Sequence, residues 1–177
     1  MFIEQNVDAA IGGRLDRWFD AHATPGTVYL PLVMIDSGNQ IDSGDTLFTR
    51  IYGDMIDLAL ERPAAARMTV QSEWVGNLIR FQVTLNNASG ESLSAANHAT
   101  ITALLYEEPN NPTTIPVVVA AGTAAITSLA DGATGTTTFE IAAGSLEPAR
   151  TRWIVIADYL PESSEGAYDT LQATFGP

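Results

Sequence analysis

Met68-Thr69-Val70-Gln71-Ser72-Glu73-Trp74, Val75-Gly76-Asn77 and Leu78-Ile79-Arg80-Phe81-Gln82-Val83-Thr84-Leu85 make up the stretch whose reading decides the fold. In its second half the apolar residues Ile79, Phe81, Val83 and Leu85 alternate with polar ones, and the first half alternates from Met68 to Trp74. A strand sends successive side chains to opposite faces, so a period of two marks a half-buried strand. Gly76 and Asn77 supply a tight turn between the halves, and together they predict an antiparallel hairpin.

The same grammar continues toward the C-terminus. Further strands are expected at Ala99–Tyr106, Thr114–Ala120, Gly135–Ile141, Arg152–Tyr159 and Leu171–Phe175. Asn86 to Asn97 reads as a polar loop, and Pro109, Pro112, Asp131-Gly132, Gly144 and Pro161 supply the breaks. Trp153-Ile154-Val155-Ile156-Ala157 is the most apolar of these runs and is expected at the centre of a sheet. Roughly seven short strands with turns between them predict an immunoglobulin-like antiparallel β-sandwich over residues 64–177.

Toward the N-terminus the period changes at Pro63. Phe48, Ile51, Tyr52, Met55, Ile56, Ala59 and Leu60 form a stripe at helical spacing. Thr46 is the expected N-cap, Arg62 suits the negative end of the helix dipole, and Pro63 ends the helix. Leu15, Trp18 and Phe19 predict an earlier helix over Arg14–Ala21, and Phe2 to Val7 is extended. Val28 to Ile35 is nearly continuous in apolar residues, the pattern of a strand buried on both faces. Pro31 inside it is awkward, because proline donates nothing to a ladder. Asp36 to Asp45 reads as a polar loop. Residues 1–63 are therefore expected as an α/β region, and the chain as α+β or mostly β.

Composition narrows the chemistry. The chain of 177 residues is 46% hydrophobic, 16% charged and carries a net charge of −13, with arginine its sole strongly basic residue. Such a balance favours a folded core over disorder, and the negative charge repels nucleic acid and anionic membrane. There is no cysteine, so disulfides, thiolate catalysis and cysteine metal sites are excluded for this chain. No apolar run is long enough to span a membrane. Met1-Phe2-Ile3-Glu4-Gln5 lacks the basic start and apolar core of a signal peptide, so an export signal is expected upstream.

The order of strand, helix, Tyr29-Leu30-Pro31-Leu32-Val33-Met34-Ile35-Asp36, loop and amphipathic helix resembles the C-terminal part of thioredoxin-like proteins. The resemblance implies that Pro31 is the family's cis-proline, at the start of a strand rather than within it. It also implies that the helix near Phe48–Leu60 is the family's last. The whole chain is similar to the tail of bacterial extracytoplasmic proteins in which a thioredoxin-like domain precedes an immunoglobulin-like sandwich. The family's first strands and its cysteine-bearing helix have no counterpart here. An incomplete sheet exposes an edge, which implies a protein partner or self-association through the N-terminal region, as in a homodimer.

Val33-Met34-Ile35 followed by Asp36-Ser37-Gly38 is the sharpest chemical motif, repeated in part at Asp42-Ser43-Gly44. It resembles the catalytic turn of aspartic peptidases, where two facing turns let paired carboxylates share a proton and activate water. A chain with one such turn would reach that arrangement only as a symmetric dimer, because the second copy lies too near the first. The competing reading is a plain turn. Asp36, Asn39, Asp42 and Asp45 also offer oxygen ligands suited to Ca²⁺, though not at EF-hand spacing, and the plainer reading is a solvated loop.

His22 and His98, the two histidines, lack metal-ligand spacing and read as surface or capping residues, and no Gly-x-Ser-x-Gly elbow is present. Glu107 and Glu108 are adjacent on a strand and face opposite ways, and Glu162 and Glu165 read as solvated. Trp18, Trp74 and Trp153 read as packing residues, and Tyr106, Tyr159 and Tyr168 as corners of the sandwich. Asn87-Ala88-Ser89 is a formal glycosylation sequence. The function expected is a non-catalytic interaction or structural module of a bacterial cell-envelope or secreted protein, without a cofactor apart from incidental Ca²⁺. The alternatives are the cysteine-free portion of a thiol oxidoreductase and an aspartic-peptidase-like dimer using Asp36.

Overall fold

The structure is a computed structural model that describes residues 32–43, 48–109, 116–164 and 168–177. Pro31, Asp45, Thr46, Trp18, His22, Glu165, the expected helix over 14–21 and the extended segment over 2–7 lie outside the described residues.

The described chain is mostly β. Strands β1 (Leu32–Ile35) and β2 (Gln40–Ser43) form a small antiparallel hairpin, followed by helix α1 (Phe48–Glu61). Then come β3 (Ala66–Val75), β4 (Leu78–Asn87), β5 (Leu93–Ser94) and β6 (Thr100–Glu107). After these follow β7 (Val118–Ala125), β8 (Ser128–Leu129), β9 (Thr134–Ala142), β10 (Thr151–Tyr159) and β11 (Asp169–Gly176). One sheet has the order β3-β4-β9 and a second the order β11-β10-β6-β7, all antiparallel, while β5 pairs with β8.

The expected hairpin forms as β3 and β4, with Val75 opposite Leu78 and Gly76 at φ +63° in the turn. Ile79, Phe81, Val83 and Leu85 all point inward from β4, as their alternation requires. They meet Ile101, Ala103 and Leu105 from β6, Trp153, Val155 and Ala157 from β10, and Leu171 from β11. Phe81 stacks on Phe139 at 5.6 Å between ring centroids and meets Trp153 edge-on at 5.8 Å. The Trp153 indole N–H donates to Ser72 Oγ at 3.0 Å, a polar tie between the two sheets. A Cβ added to Gly176 would lie 2.3 Å from the Trp153 ring, so only glycine lets the indole lie against β11 there.

Several local expectations are corrected. The segment Asp36 to Asp45 holds strand β2, because the turn at Asp36–Gly38 folds the chain back onto β1. The described part of the apolar run, Leu32–Ile35, is thus one arm of an antiparallel hairpin. The strand expected at Thr114–Ala120 is found at Val118–Ala125, where alanine and glycine obscure the pattern. In α1, Met55 is buried, but Ile56 and Leu60 of the expected apolar stripe are exposed, Leu60 by 77%. The two-residue strands β5 and β8 are too short for any period to show.

Candidate functional site

A convergence of polar side chains lies where the β1–β2 turn meets the ends of β6, β10 and β11. The turn residues Asp36, Ser37 and Gly38 all have positive φ, 57°, 58° and 100°. A left-handed backbone costs a non-glycine residue roughly 1–2 kcal/mol, so neighbouring contacts must hold this turn in place. Asp36 pairs with the Arg62 guanidinium, and its other carboxylate oxygen accepts the backbone N–H of Thr170 at 3.2 Å. Ser37 Oγ donates to Asp158 Oδ2 at 3.0 Å and lies 2.7 Å from Thr170 Oγ1. Asn39 donates its amide to Asp169 Oδ1 at 2.9 Å.

Arg62 binds the cluster from the other side. Its second terminal nitrogen reaches Asp169 Oδ2 at 2.6 Å, so one guanidinium bridges the turn and β11. Burial alone would lower the Arg62 pKa, but the hydrogen bond it donates to Asp169 and the charges of Asp36 and Asp169 more than offset it. The net shift is upward and the group stays cationic. The sequence reading assigned Arg62 to the helix dipole. In the structure α1 ends one residue earlier, at Glu61, and Arg62 turns to the cluster.

Asp158 is present through a local irregularity. The β10–β11 pairing slips by one residue after Ala157, so Asp158 stands opposite Thr170 instead of Leu171. Bulges re-aim side chains in this way. Ala157, Asp158 and Tyr159 are consequently all buried, which breaks the alternation of β10. Thr100 Oγ donates to Asp158 Oδ1 at 2.8 Å, so both carboxylate oxygens are engaged. Nearby, burial raises the Tyr159 phenol above its ordinary pKa, with the charges of Glu91 and Asp169 adding to the effect. Sequence reasoning missed Asp158, Asp169, Thr100 and Thr170. A carboxylate in the apolar run of β10 was the one signal that pointed to them.

The other sequence-level candidates are dispersed. Asp36 and Asn39 face Arg62 and Asp169, while Asp42 lies on β2 with its Oδ2 buried and unpartnered. Among the described residues no three His, Asp or Glu side chains are grouped to hold a metal ion. His98 sits at φ 52° as the C-cap of a 3-10 turn over Ala95–Asn97, edge-on to Tyr168. Glu107 accepts the Glu147 N–H, and Glu108 pairs with Arg152 at 2.5 Å. Asn87 ends β4 fully buried. Its amide donates to the carbonyls of Glu91 and Leu129 and accepts from Ser89, so it is not available to a glycosylating enzyme in the folded chain.

No protein-family model matches the chain, and no curated protein does. Among solved structures, it is similar to HBP35 of Porphyromonas gingivalis, with 14% identity and a TM-score of 0.60. The match covers 93% of this chain and 57% of HBP35, so the chain spans little more than half of that protein's length. Two weaker likenesses are a β-glucosidase from Paenibacillus barengoltzii and a penta-haem cytochrome c552 from Thermochromatium tepidum. The first has 14% identity and a TM-score of 0.34 over 62% of this chain and 15% of that one. The second has 12% identity and a TM-score of 0.33 over 92% of this chain and 49% of that one, and neither bears on fold or function. What the chain shares with HBP35 is a fold, mostly β and built of antiparallel sheets, found in a bacterial protein.

Proposed function

We propose that this chain is a non-catalytic interaction or structural module of a bacterial cell-envelope or secreted protein. In this reading residues 64–177 are an immunoglobulin-like sandwich of about seven strands, and residues 1–63 are a partial thioredoxin-like region. Support for the sandwich comes from the path of the chain. It passes from β3-β4 in one sheet to β6-β7 in the other, returns to β9, and crosses again to β10-β11. Support for the N-terminal reading is that a strand, Leu32–Ile35, comes before the amphipathic helix α1 as in the order on which the resemblance rests, although β2 stands where that order has a loop.

The observation that carries the functional reading is the state of Asp36-Ser37-Gly38. A peptidase carboxylate must share a proton with its partner and face a water. Asp36 is instead paired with Arg62 and capped by the Thr170 N–H, while Ser37 is bound to Asp158 and Thr170. These contacts act as a joint. They hold the hairpin and α1 against the end of the four-stranded sheet, which suits a module that presents surfaces in a set orientation.

The test is a pair of measurements on the full chain. Arg62→Met should lower stability by about 1–3 kcal/mol, the usual cost of losing charged hydrogen bonds, with no proteolytic activity in either protein. Acid-optimal, pepstatin-sensitive cleavage of casein that disappears in Asp36→Asn would overturn the reading in favour of the peptidase dimer. Cysteine-dependent activity is outside this chain's chemistry.

A further inference from the structure

Residues paired across neighbouring strands set their side chains on the same face of a sheet. In the four-stranded sheet one such row runs Ala121, Leu104, Ile154 and Phe175 across β7, β6, β10 and β11. Leu105, Trp153 and Val155 point into the shared core, so this row points away from it. Exposure along the row is uneven: Phe175 at its end is 74% exposed and Leu104 only 4%. The rows on either side repeat the contrast. Thr102 is buried while Thr123 and Ala173 in its row are exposed, and Tyr106 and Val118 are buried opposite each other.

The buried positions form a stripe along β6, with bare margins at Thr123 on β7 and at Ala173 and Phe175 on β11. Side chains stand nearly perpendicular to a sheet, so neighbours within it shield their flanks and not their tips. Something therefore lies over the stripe. At the Thr100 end it is the Asp36–Gly38 turn, tied down through Ser37 and Asp158. Farther along, the described residues packed with Leu104 and Val118 are Ala121 and Ile156, all of the same sheet. The burial arises within one chain, so the cover belongs to this chain. The bare margins limit it to the width of about one element.

Four segments lie outside the described residues: 1–31, 44–47, 110–115 and 165–167. The three short ones offer Leu47 and Ile115 as their large apolar side chains. Residues 1–31 offer Leu15, Trp18 and Phe19 at helical spacing, with Asp16, Arg17 and Asp20 on the opposite side of the same period. A one-sided pattern of that kind suits a stripe one element wide. The segment also leads directly into β1, whose turn already closes the Thr100 end.

We propose that the outer face of β6 is an intramolecular docking surface for the segment before β1, with Leu15, Trp18 and Phe19 set against Leu104, Tyr106 and Val118. The N-terminal region is then attached to the sandwich at two points along one stripe. The inference does not depend on the module reading. Proteolytic turnover would leave it standing, and its failure would leave that reading standing.

The chain has no cysteine, so a single introduced one takes a nitroxide label at one place. With the label on Ala173→Cys, at the bare margin, the amide signals of residues 14–21 in the full chain should lose intensity and regain it on reduction with ascorbate. With the label on Thr136→Cys, on the outer face of the other sheet, they should keep it. Stability supplies a second readout. Trp18→Ala and Leu104→Ala should depart from additivity by about threefold or more in the unfolding equilibrium constant, as residues in contact do. Trp18→Ala and Thr84→Ala should be additive. Full intensity over 14–21 with the Ala173→Cys label overturns the proposal, as does broadening at 110–115 in their place or additivity of Trp18→Ala with Leu104→Ala.

Discussion

The two large sheets share one core but differ on their outer faces. On the three-stranded sheet the outer face is polar: Thr84 bonds Thr136, Asn86 bonds Thr134, and Arg80 sits between Glu73 and Glu140. Strand β4 alternates accordingly between buried and more exposed positions. Strand β6, its counterpart at the centre of the other sheet, is buried on both faces from Thr100 through Tyr106. Its outer side carries Thr100, bonded to Asp158, Thr102, bonded to Thr123, and Leu104, which packs with Val118, Ala121 and Ile156 in a second apolar cluster. One sheet therefore behaves as a wall with water behind it, while the other has a central strand packed on both sides.

Substitutions can break or sharpen this contrast. The largest effect is expected from Phe81→Ala, which removes the ring between Phe139 and Trp153 at the shared core. It should cost about 3–5 kcal/mol, and each kcal/mol lowers the melting temperature by roughly 2–4 °C at this chain length. A melting temperature within a degree of the parent would mean that the sheets do not share a core. Next is Leu104→Ala on the outer side of β6, where Leu104 is 4% exposed. A loss of about 2–4 kcal/mol in chemical denaturation is expected, against less than about 0.5 kcal/mol for Thr84→Ala on the polar face. Equal losses would erase the distinction between the two faces.

The smallest effect should come from Arg80→Ala. Hydrogen bonds donated to Glu140 and then to Glu73 raise the Arg80 pKa, yet the group is exposed and its attractions are screened by water. Its melting temperature should be indistinguishable from the parent's in physiological salt. A drop as large as that of Leu104→Ala would make the polar face a structural layer as well.

Much of this fold was legible because strand and helix periods are local. The hairpin β3–β4, helix α1 and the core strands β6, β9, β10 and β11 follow from alternation, spacing and breakers at Gly76, Pro63 and Pro161. β7 was displaced because alanine and glycine carry little periodic signal, and β2 was read as a loop because its four residues include only one apolar side chain. The Asp36-Ser37-Gly38 motif was legible as a turn, but its partners were not. Arg62 is 26 residues away, and Asp158 and Thr170 are more than a hundred away.

The sequence by itself determined that the chain has no cysteine chemistry, that its period changes at Pro63, and that short antiparallel strands dominate beyond it. Composition and local steric preference suffice for those conclusions. Only the tertiary structure decided that Asp36 belongs to an arginine, that Asn87 is sealed inside, and that β6 has two buried faces. Each depends on which distant segment is brought alongside, and that is set by the packing of the sheets as a whole, which no local pattern encodes.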